Sequence, residues 1–167
     1  MKIYQADAEK DKAEIETLFL EYLDWACANL KRHYDIDFDS AEIVKGDMAT
    51  LSKFMPPIGH LFLCEVDGKL AGLACMKQLS DSICEIKRMY VRPDFRGKGL
   101  GRALLQQMID KAKDLGYPLM RLDSSRFMTE AHGLYQAVGF KEIEPYEGSE
   151  IPKEFQQHWR FFERSLS

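Results

Sequence analysis

The sequence 91-VRPDFRGKGLGRALL-105 joins an apolar run to the start of a helical pattern and contains three glycines and four basic side chains. Glycine has no Cβ, so the backbone N–H groups of such a turn can approach a ligand closely. At the positive end of a helix dipole, these N–H groups favour an anion. The sequence therefore predicts a phosphate-binding turn between a strand and a helix.

Two common phosphate-binding motifs do not fit this turn. A dinucleotide fingerprint needs a glycine at position 102, where the chain has Arg102. A P-loop needs four residues between its glycines and then Lys followed by Ser or Thr, which the chain also lacks. The remaining pattern is Arg-x-x-Gly-x-Gly, present as 96-RGKGLG-101 after the apolar run 89-MYV-91.

Basic residues are concentrated around the turn. Residues 87–102 contain six basic side chains and one acid, a local charge of +5, which leaves −9 for the rest of a chain with a total charge of −4. A basic patch on an acidic chain suits a compact polyanion better than a long nucleic acid, which the surrounding surface would repel. We therefore expect no nucleic-acid partner, although an ordinary solvated run of charges remains an alternative.

Length and composition favour one globular domain over residues 1–167, with 46% hydrophobic content. No segment approaches the roughly 18 apolar residues that a membrane span needs, and the N-terminal residues have no long apolar stretch. We expect a soluble, cytoplasmic protein without a membrane partner. The four cysteines are widely spaced and lack a CxxC pair, so we expect buried free thiols and no metal site.

Apolar spacing of three and four residues predicts four helices. The first lies within residues 7–30, the second begins at Ser40 and ends before Pro56, and the third runs from Leu100 to a glycine stop at Gly116. The fourth covers 128-MTEAHGLYQAV-138.

Three apolar runs predict consecutive antiparallel strands at 60-HLFLCEV-66, 69-KLAGLACMKQL-79 and 83-ICEIKRMYV-91. The pair Asp67-Gly68 is a strong signal for a two-residue hairpin turn between the first two. Further strands are predicted in 117-YPLMRLDSS-125 and 158-HWRFFERSL-166. A helix between the third strand and the fourth permits parallel pairing there, which indicates a mixed α/β structure with one central sheet.

Three blocks, in this order, resemble the GCN5-related N-acetyltransferase (GNAT) family: CEIKRMYVRPDFRGKGLGRALL, YPLMRLDSS and AHGLYQAVGFKEI. The resemblance is clear over residues 61–143. It implies the GNAT fold, a mostly antiparallel mixed sheet with a splayed parallel strand pair and helices on both faces. It also implies transfer of an acetyl group from acetyl-coenzyme A, the cosubstrate, to a primary amine by direct attack in a ternary complex.

The resemblance also implies a cofactor site. The pyrophosphate of acetyl-CoA would bind the turn and its basic side chains, and the pantetheine arm would pair with the backbone of Met89 and Val91. A backbone N–H near Met89 or Tyr90 would polarise the thioester carbonyl. The residues of the turn are Arg96, Gly97, Lys98, Gly99, Leu100, Gly101 and Arg102.

By the same resemblance, Glu85 is the base that accepts the amine proton, directly or through water, and Tyr135 protonates the departing thiolate. Glu85 shares the nominal face of Met89 and Val91 if no bulge interrupts the strand; its alternative role is as a cross-strand ion partner. Many family members have Asn seven residues before the Tyr, where this chain has Met128.

The resemblance also implies that the acceptor binds between the first two helices and the loop before the last strand. Both segments are rich in acidic and aromatic residues, which suits a cationic small-molecule or peptide amine, although solvated loops would have the same composition. A non-catalytic acyl-CoA-binding or sensor module is the alternative function, and a homodimer is left open. The candidate residues are Tyr34, Asp35, Asp37, Phe38, Asp39, Tyr146, Glu147 and Glu150.

Overall fold

A computed structural model describes all 167 residues of the chain. Its strands are β1 (Lys2–Gln5), β2 (His60–Val66), β3 (Lys69–Ser80), β4 (Ile83–Val91), β5 (Leu119–Ser125), β6 (Lys141–Ile143) and β7 (Trp159–Ser165). Its α-helices are α1 (Lys12–Tyr34), α2 (Ser40–Ala49), α3 (Leu100–Asp114) and α4 (Thr129–Ala137). None of the helices is both long and apolar enough to cross a membrane.

Local sequence signals define the helix ends. α1 is followed by Asp35 in the left-handed conformation (φ 53°), and α2 begins after Asp39, whose carboxylate accepts a hydrogen bond from the Glu42 N–H at 3.2 Å. α3 begins after Gly99, whose φ of 84° is favourable only for glycine. This last boundary leaves the N–H groups of the turn facing outwards.

The seven strands form one sheet in the order β1-β2-β3-β4-β5-β7-β6. All neighbouring pairs are antiparallel except β4 and β5. The parallel pair is short: only residues 83–85 of β4 face residues 119–121 of β5. Beyond this contact the two strands diverge, which opens a gap in the middle of the sheet.

A bulge in β4 changes the face on which its side chains lie. Cys75 of β3 faces Lys87 and Leu73 faces Tyr90, so one residue of β3 opposes two of β4, and Arg88 has a positive φ of 54°. As a result, the alternation of side chains between the two faces is shifted by one residue between the first half of β4 and its end. Glu85 lies on the Tyr90 face of the sheet.

The two faces of the sheet bury separate apolar clusters. One cluster packs α3 and α4 against the sheet, with Met89 and Val91 at its edge, and the other packs α1 and α2 against the opposite face, with Tyr90 in it. The bulge therefore places Glu85 on the opposite face of the sheet from Met89 and Val91. The prediction that these three side chains share one face required an unbulged strand, and it is wrong.

The predicted helices and the five predicted strands are all present, with helix ends shifted by a few residues, and the fold class is confirmed. The Asp67-Gly68 turn has both φ angles positive (51° and 74°), as a two-residue hairpin requires. The four cysteines are buried and free. The sequence analysis missed β1 and contained no clear signal for β6, because strands of four and three residues are too short to show alternation.

Candidate active site

The gap between β4 and β5 opens into a cavity of about 910 Å³. Its walls come from the end of β4, the turn before α3, the end of β5, the start of α4, one face of α1 and the segment before β7. Cavities that hold small ligands have volumes of about 300–1,000 Å³. The cavity is therefore large enough for an extended cofactor arm together with a small acceptor.

The turn before α3 presents a row of unpaired backbone donors. None of the successive N–H groups from Gly97 to Arg102 donates to a protein acceptor, whereas the N–H of Ala103 donates to the Gly99 carbonyl at 3.0 Å. These groups lie at the positive end of the 15-residue helix α3. The turn can therefore donate several hydrogen bonds to a diphosphate.

The basic side chains of the turn have different positions. Arg96 and Arg102 line the cavity, but Lys98 does not, and its ammonium lies 5.7 Å from the ring centre of Phe95. The Nε of Arg96 donates to the Val91 carbonyl at 2.9 Å, which fixes its guanidinium beside the turn. Of the basic side chains of the turn, only the two arginines thus bring positive charge to the cavity, while Lys98 offers its backbone N–H.

The edge of β4 that faces the gap has free backbone N–H groups. Met89, Tyr90 and Val91 all line the cavity. The N–H of Arg92 donates to the Ala71 carbonyl of β3 at 2.8 Å. Because successive peptide groups of a strand point to opposite edges, the N–H groups of Val91 and Met89 point into the gap. An extended amide chain can bind there as an added strand.

Tyr135 of α4 lines the cavity and is 7% exposed. Its ring is held between Phe140 and Phe162, with centroid distances of 6.0 and 5.8 Å. Burial, with smaller contributions from Tyr22 and Asp123, raises the pKa of the Tyr135 phenol. The phenol therefore keeps its proton at neutral pH and can donate it within the cavity.

Glu85 is fully buried and does not line the cavity. Its Oε2 accepts a hydrogen bond from the Tyr146 hydroxyl at 2.6 Å, and its Oε1 has no hydrogen bond but lies 3.6 Å from Lys87 Nζ. Burial raises the pKa of Glu85, although Lys87 acts in the opposite direction. Its role as the base stays a prediction; its neighbour Lys87, unlike Glu85, lines the cavity.

Two consecutive basic residues, Lys87 and Arg88, lie in the floor of the cavity because the bulge turns both side chains to the α1 side. Lys87 Nζ lies 2.8 Å from Asp123 Oδ2. Arg88 binds Asp47 (Nε to Oδ2, 2.8 Å) and Glu150 (Nη1 to Oε1, 2.7 Å). From the sequence, Lys87 and Arg88 were assigned only to the basic patch around the turn, and their ion pairs were not predicted.

The charges of this floor stabilise one another. Burial by itself lowers the pKa of Lys87, but Asp123, Glu150 and Glu85 outweigh it, so that the pKa is raised. Burial raises the pKa of Glu150, but Lys87 and Arg88 outweigh it and hold the pKa below its usual range. Both groups are therefore charged at neutral pH.

Asp123 is a carboxylate of the floor that sequence reasoning did not select. Its Oδ2 binds Lys87 and accepts a hydrogen bond from the Ser149 hydroxyl at 3.2 Å, whereas its Oδ1 has no hydrogen-bond partner. Asp123 lines the cavity and contributes to the raised pKa values of Tyr22 and Tyr135. A proton acceptor therefore faces the cavity on the side of these phenols.

The predicted acidic rim is not formed. Among the candidate acceptor residues, only Phe38 and Glu150 line the cavity. Asp35 pairs with Lys31 at 2.8 Å on the surface, and Glu150 is occupied by Arg88. Asp39 caps α2, Asp35 and Asp37 pair with Lys31, and Glu150 pairs with Arg88, which composition alone could not show.

Met128 occupies the position at which many family members have Asn, and it lines the cavity. Its sulfur lies 3.5 Å from the Ser124 hydroxyl. The same hydroxyl lies 3.0 Å from Nε2 of the buried His132, and Nδ1 of that ring is 3.2 Å from Nη1 of Arg160. Because a guanidinium can only donate, Nδ1 accepts and Nε2 donates to Ser124. His132 is thus a satisfied core histidine.

A family model described as acetyltransferase (GNAT) family matches residues 9–140. An uncharacterised N-acetyltransferase of Schizosaccharomyces pombe is 36% identical over 104 residues, 61% of this chain and 64% of that protein. The N-acetylaspartate synthetase of Danio rerio is 32% identical over 109 residues, 64% of this chain and 39% of that protein. The chain thus spans less than two thirds of the length of either relative.

The fold is also similar to that of a solved structure, the PaiA N-acetyltransferase of Thermoplasma acidophilum in complex with coenzyme A. The TM-score is 0.71 with 17% sequence identity, and the match covers 98% of each chain. At this identity the likeness concerns the fold alone.

Proposed function

Because the chain belongs to the acetyltransferase (GNAT) family, we propose that it transfers the acetyl group of acetyl-CoA to the nitrogen of a primary amine. The observation that carries the proposal is the row of free N–H groups at the start of α3, next to the free edge of β4. The coenzyme A complex of the Thermoplasma protein and the N-acetyltransferase relatives support it. Cytoplasmic location and a homodimer stay predictions.

The residues around the gap fit the cosubstrate. The amides of the turn, with Arg96 and Arg102, would hold the pyrophosphate, and the free edge of β4 would hold the pantetheine amides. Acetyl-CoA supplies an acetyl group activated as a thioester. Of the two candidates predicted from the sequence, Met89 and Tyr90, the backbone N–H of Met89 points into the gap and would stabilise negative charge on the carbonyl oxygen during attack, whereas that of Tyr90 points to β3.

The attacking nitrogen must lose a proton, because alkylammonium groups have pKa values near ~10 and are protonated at pH 7. We assign this proton to Asp123, whose free Oδ1 faces the cavity. Glu85 is the alternative acceptor predicted from the sequence, but it does not line the cavity, and its Oε1 lies 3.6 Å from Lys87 Nζ. In either case the N–C bond forms as the C–S bond breaks.

The departing sulfur would take the phenolic proton of Tyr135, and the second proton that the nitrogen loses as it becomes an amide would restore the phenol. We expect Tyr135→Phe to lower kcat about tenfold and to leave acetyl-CoA binding nearly unchanged. This decrease in kcat is smaller than is usual for the loss of a general acid, because a thiol pKa of ~8.5 already makes the thiolate a good leaving group. Coenzyme A release from an accepted amine measures this, with Tyr4→Phe on β1 as the control. An unchanged kcat would remove Tyr135 from the mechanism.

Cofactor binding is tested by thermal unfolding with and without acetyl-CoA. The cofactor should raise the Tm, because it binds the native state. Arg96→Ala with Arg102→Ala should weaken its affinity at least about tenfold, since hydrogen bonds to charged groups contribute ~1.5–3 kcal/mol. Lys45→Ala with Lys113→Ala removes the same charge at exposed positions and should change little. Equal protection by ATP or NAD would contradict the proposal.

The family Asn position filled by Met128 favours one second function, an acyl-CoA-binding module without turnover. Such a module would keep the thermal protection by acetyl-CoA and release no coenzyme A with any amine. Turnover with a single amine excludes it.

A further inference from the structure

The half of the cavity that faces α1 and the segment before β7 has aromatic walls formed by Tyr22, Trp25, Phe38, Phe127 and Trp159. We call this region the acceptor half. Trp25 and Phe127 meet edge to face at 5.5 Å, and Phe38 lies 6.5 Å from Trp159. Trp25 is 39% exposed, one of four large apolar side chains that remain exposed. Its position in a cavity indicates a surface that a ligand covers.

The floor of the acceptor half has no free cation, and Arg96, whose guanidinium lies 5.7 Å from the Trp25 ring centre, is assigned to the pyrophosphate. Lys87 is paired with Asp123, and Arg88 is bound by Asp47 and by both oxygens of Glu150. A substrate carboxylate would have to displace one of these buried ion pairs, which leaves a carboxylate without its partner. The acceptor half therefore disfavours amino acids as substrates. These include aspartate, the amino acid in the name of the Danio rerio relative.

Two polar groups in the acceptor half lack partners. Asp123 Oδ1 has no hydrogen bond, and the Ser125 hydroxyl is unpaired although the residue is only 2% exposed. Residues two apart on a strand lie on one face, with Cα atoms about 6.7 Å apart. An ammonium or amine group between them could donate to both oxygens.

From these three observations we propose that the acceptor is a primary amine joined by a short chain to an aromatic or similarly flat apolar group and carrying no carboxylate. This inference rests on the transferase function proposed above. The amine would bind Asp123 and Ser125, and the flat group would lie between Trp25, Phe127 and the opposite wall.

The test is coenzyme A release by the full chain with matched amines. 2-Phenylethylamine and tyramine are compared with phenylalanine and tyrosine, which differ only by the carboxylate, and with aspartate, putrescine and hexylamine. We expect kcat/KM for the two arylalkylamines to exceed that for each of the others at least tenfold.

Two variants test the contacts. Phe127→Leu and Ser125→Ala should each raise KM for 2-phenylethylamine at least threefold and leave the Tm increase caused by acetyl-CoA unchanged. Tyr4→Leu, an aromatic replacement on the far edge strand β1, should leave KM unchanged. Loss of acetyl-CoA protection in Ser125→Ala would place its hydroxyl with the cofactor and overturn its role toward the amine.

The outcomes separate the inference from the function on which it rests. Preference for aspartate, for putrescine or for the amino acid of either pair would leave the transferase function standing and overturn the acceptor class. If no amine releases coenzyme A while acetyl-CoA still raises the Tm, the transferase function is overturned, and the acceptor class with it.

Discussion

Asp123→Asn should lower kcat for acetyl transfer by about 10²–10³-fold, because it removes the carboxylate that faces the cavity and leaves an amide that cannot take the amine proton. The KM for acetyl-CoA should stay within about twofold, since the turn and the free edge of β4 are untouched. Steady-state coenzyme A release with an accepted amine gives both constants.

Glu85→Gln is the matched comparison for this prediction, because it makes the same chemical change on the neighbouring strand. We expect its kcat to fall less than tenfold, since Glu85 contacts Lys87 and Tyr146 rather than the cavity. The fold should survive in both variants, because Lys87 keeps two other carboxylates within 3.6 Å. A large loss for Glu85→Gln with a small one for Asp123→Asn would reverse the two roles.

Arg88→Met should lower the free energy of unfolding by about 3–5 kcal/mol, the usual cost of removing one partner of a buried ion pair. Asp47, whose side chain is only 5% exposed, would keep Lys53 as its only ion-pair partner. Glu150 would lose both of the hydrogen bonds that it accepts from Arg88. Glu150 is 41% exposed and can regain water, so most of the cost comes from Asp47. Denaturant unfolding monitored by circular dichroism measures the change.

Lys31→Met provides the control, because its ion pair with Asp35 is exposed, screened by water, and should contribute little to stability. The double variant Arg88→Met with Asp47→Leu should recover part of the loss, since no buried carboxylate is left without a guanidinium. A loss below 1 kcal/mol in Arg88→Met would show that the floor of the cavity is not held by this network.

The same network predicts a pH dependence. Lys87 and Arg88 outweigh burial and hold the pKa of Glu150 below its ordinary value, so its contribution to stability is present above its unfolded pKa and is lost as the pH falls below about 4.5. In Arg88→Met part of this loss should disappear, and the unfolding free energies of the two proteins should converge as the solution is acidified. Parallel curves would contradict the coupling.

Much of the fold can be read from local patterns. The runs at residues 60–66 and 83–91 are strands with the bounds that alternation and apolar content predict, and the glycines at 116 and 139 follow helices in left-handed conformations, with φ of 82° and 96°. A turn between a strand and a helix at residues 96–101 could also be predicted, because its glycines, its charge and its place in the sequence are all local properties.

The acceptor half of the cavity had no such local signal. Lys87, Arg88 and Asp123 become a paired floor only because a bulge turns two adjacent side chains to one face and β5 lies beside β4. Pairing over 36 to 62 positions of sequence, as between Lys87 and Asp123 or Arg88 and Glu150, depends on the strand register and not on composition. The local sequence thus predicts the position of the proposed diphosphate-binding turn, whereas the strand register, which brings distant segments together, decides which carboxylate lines the cavity.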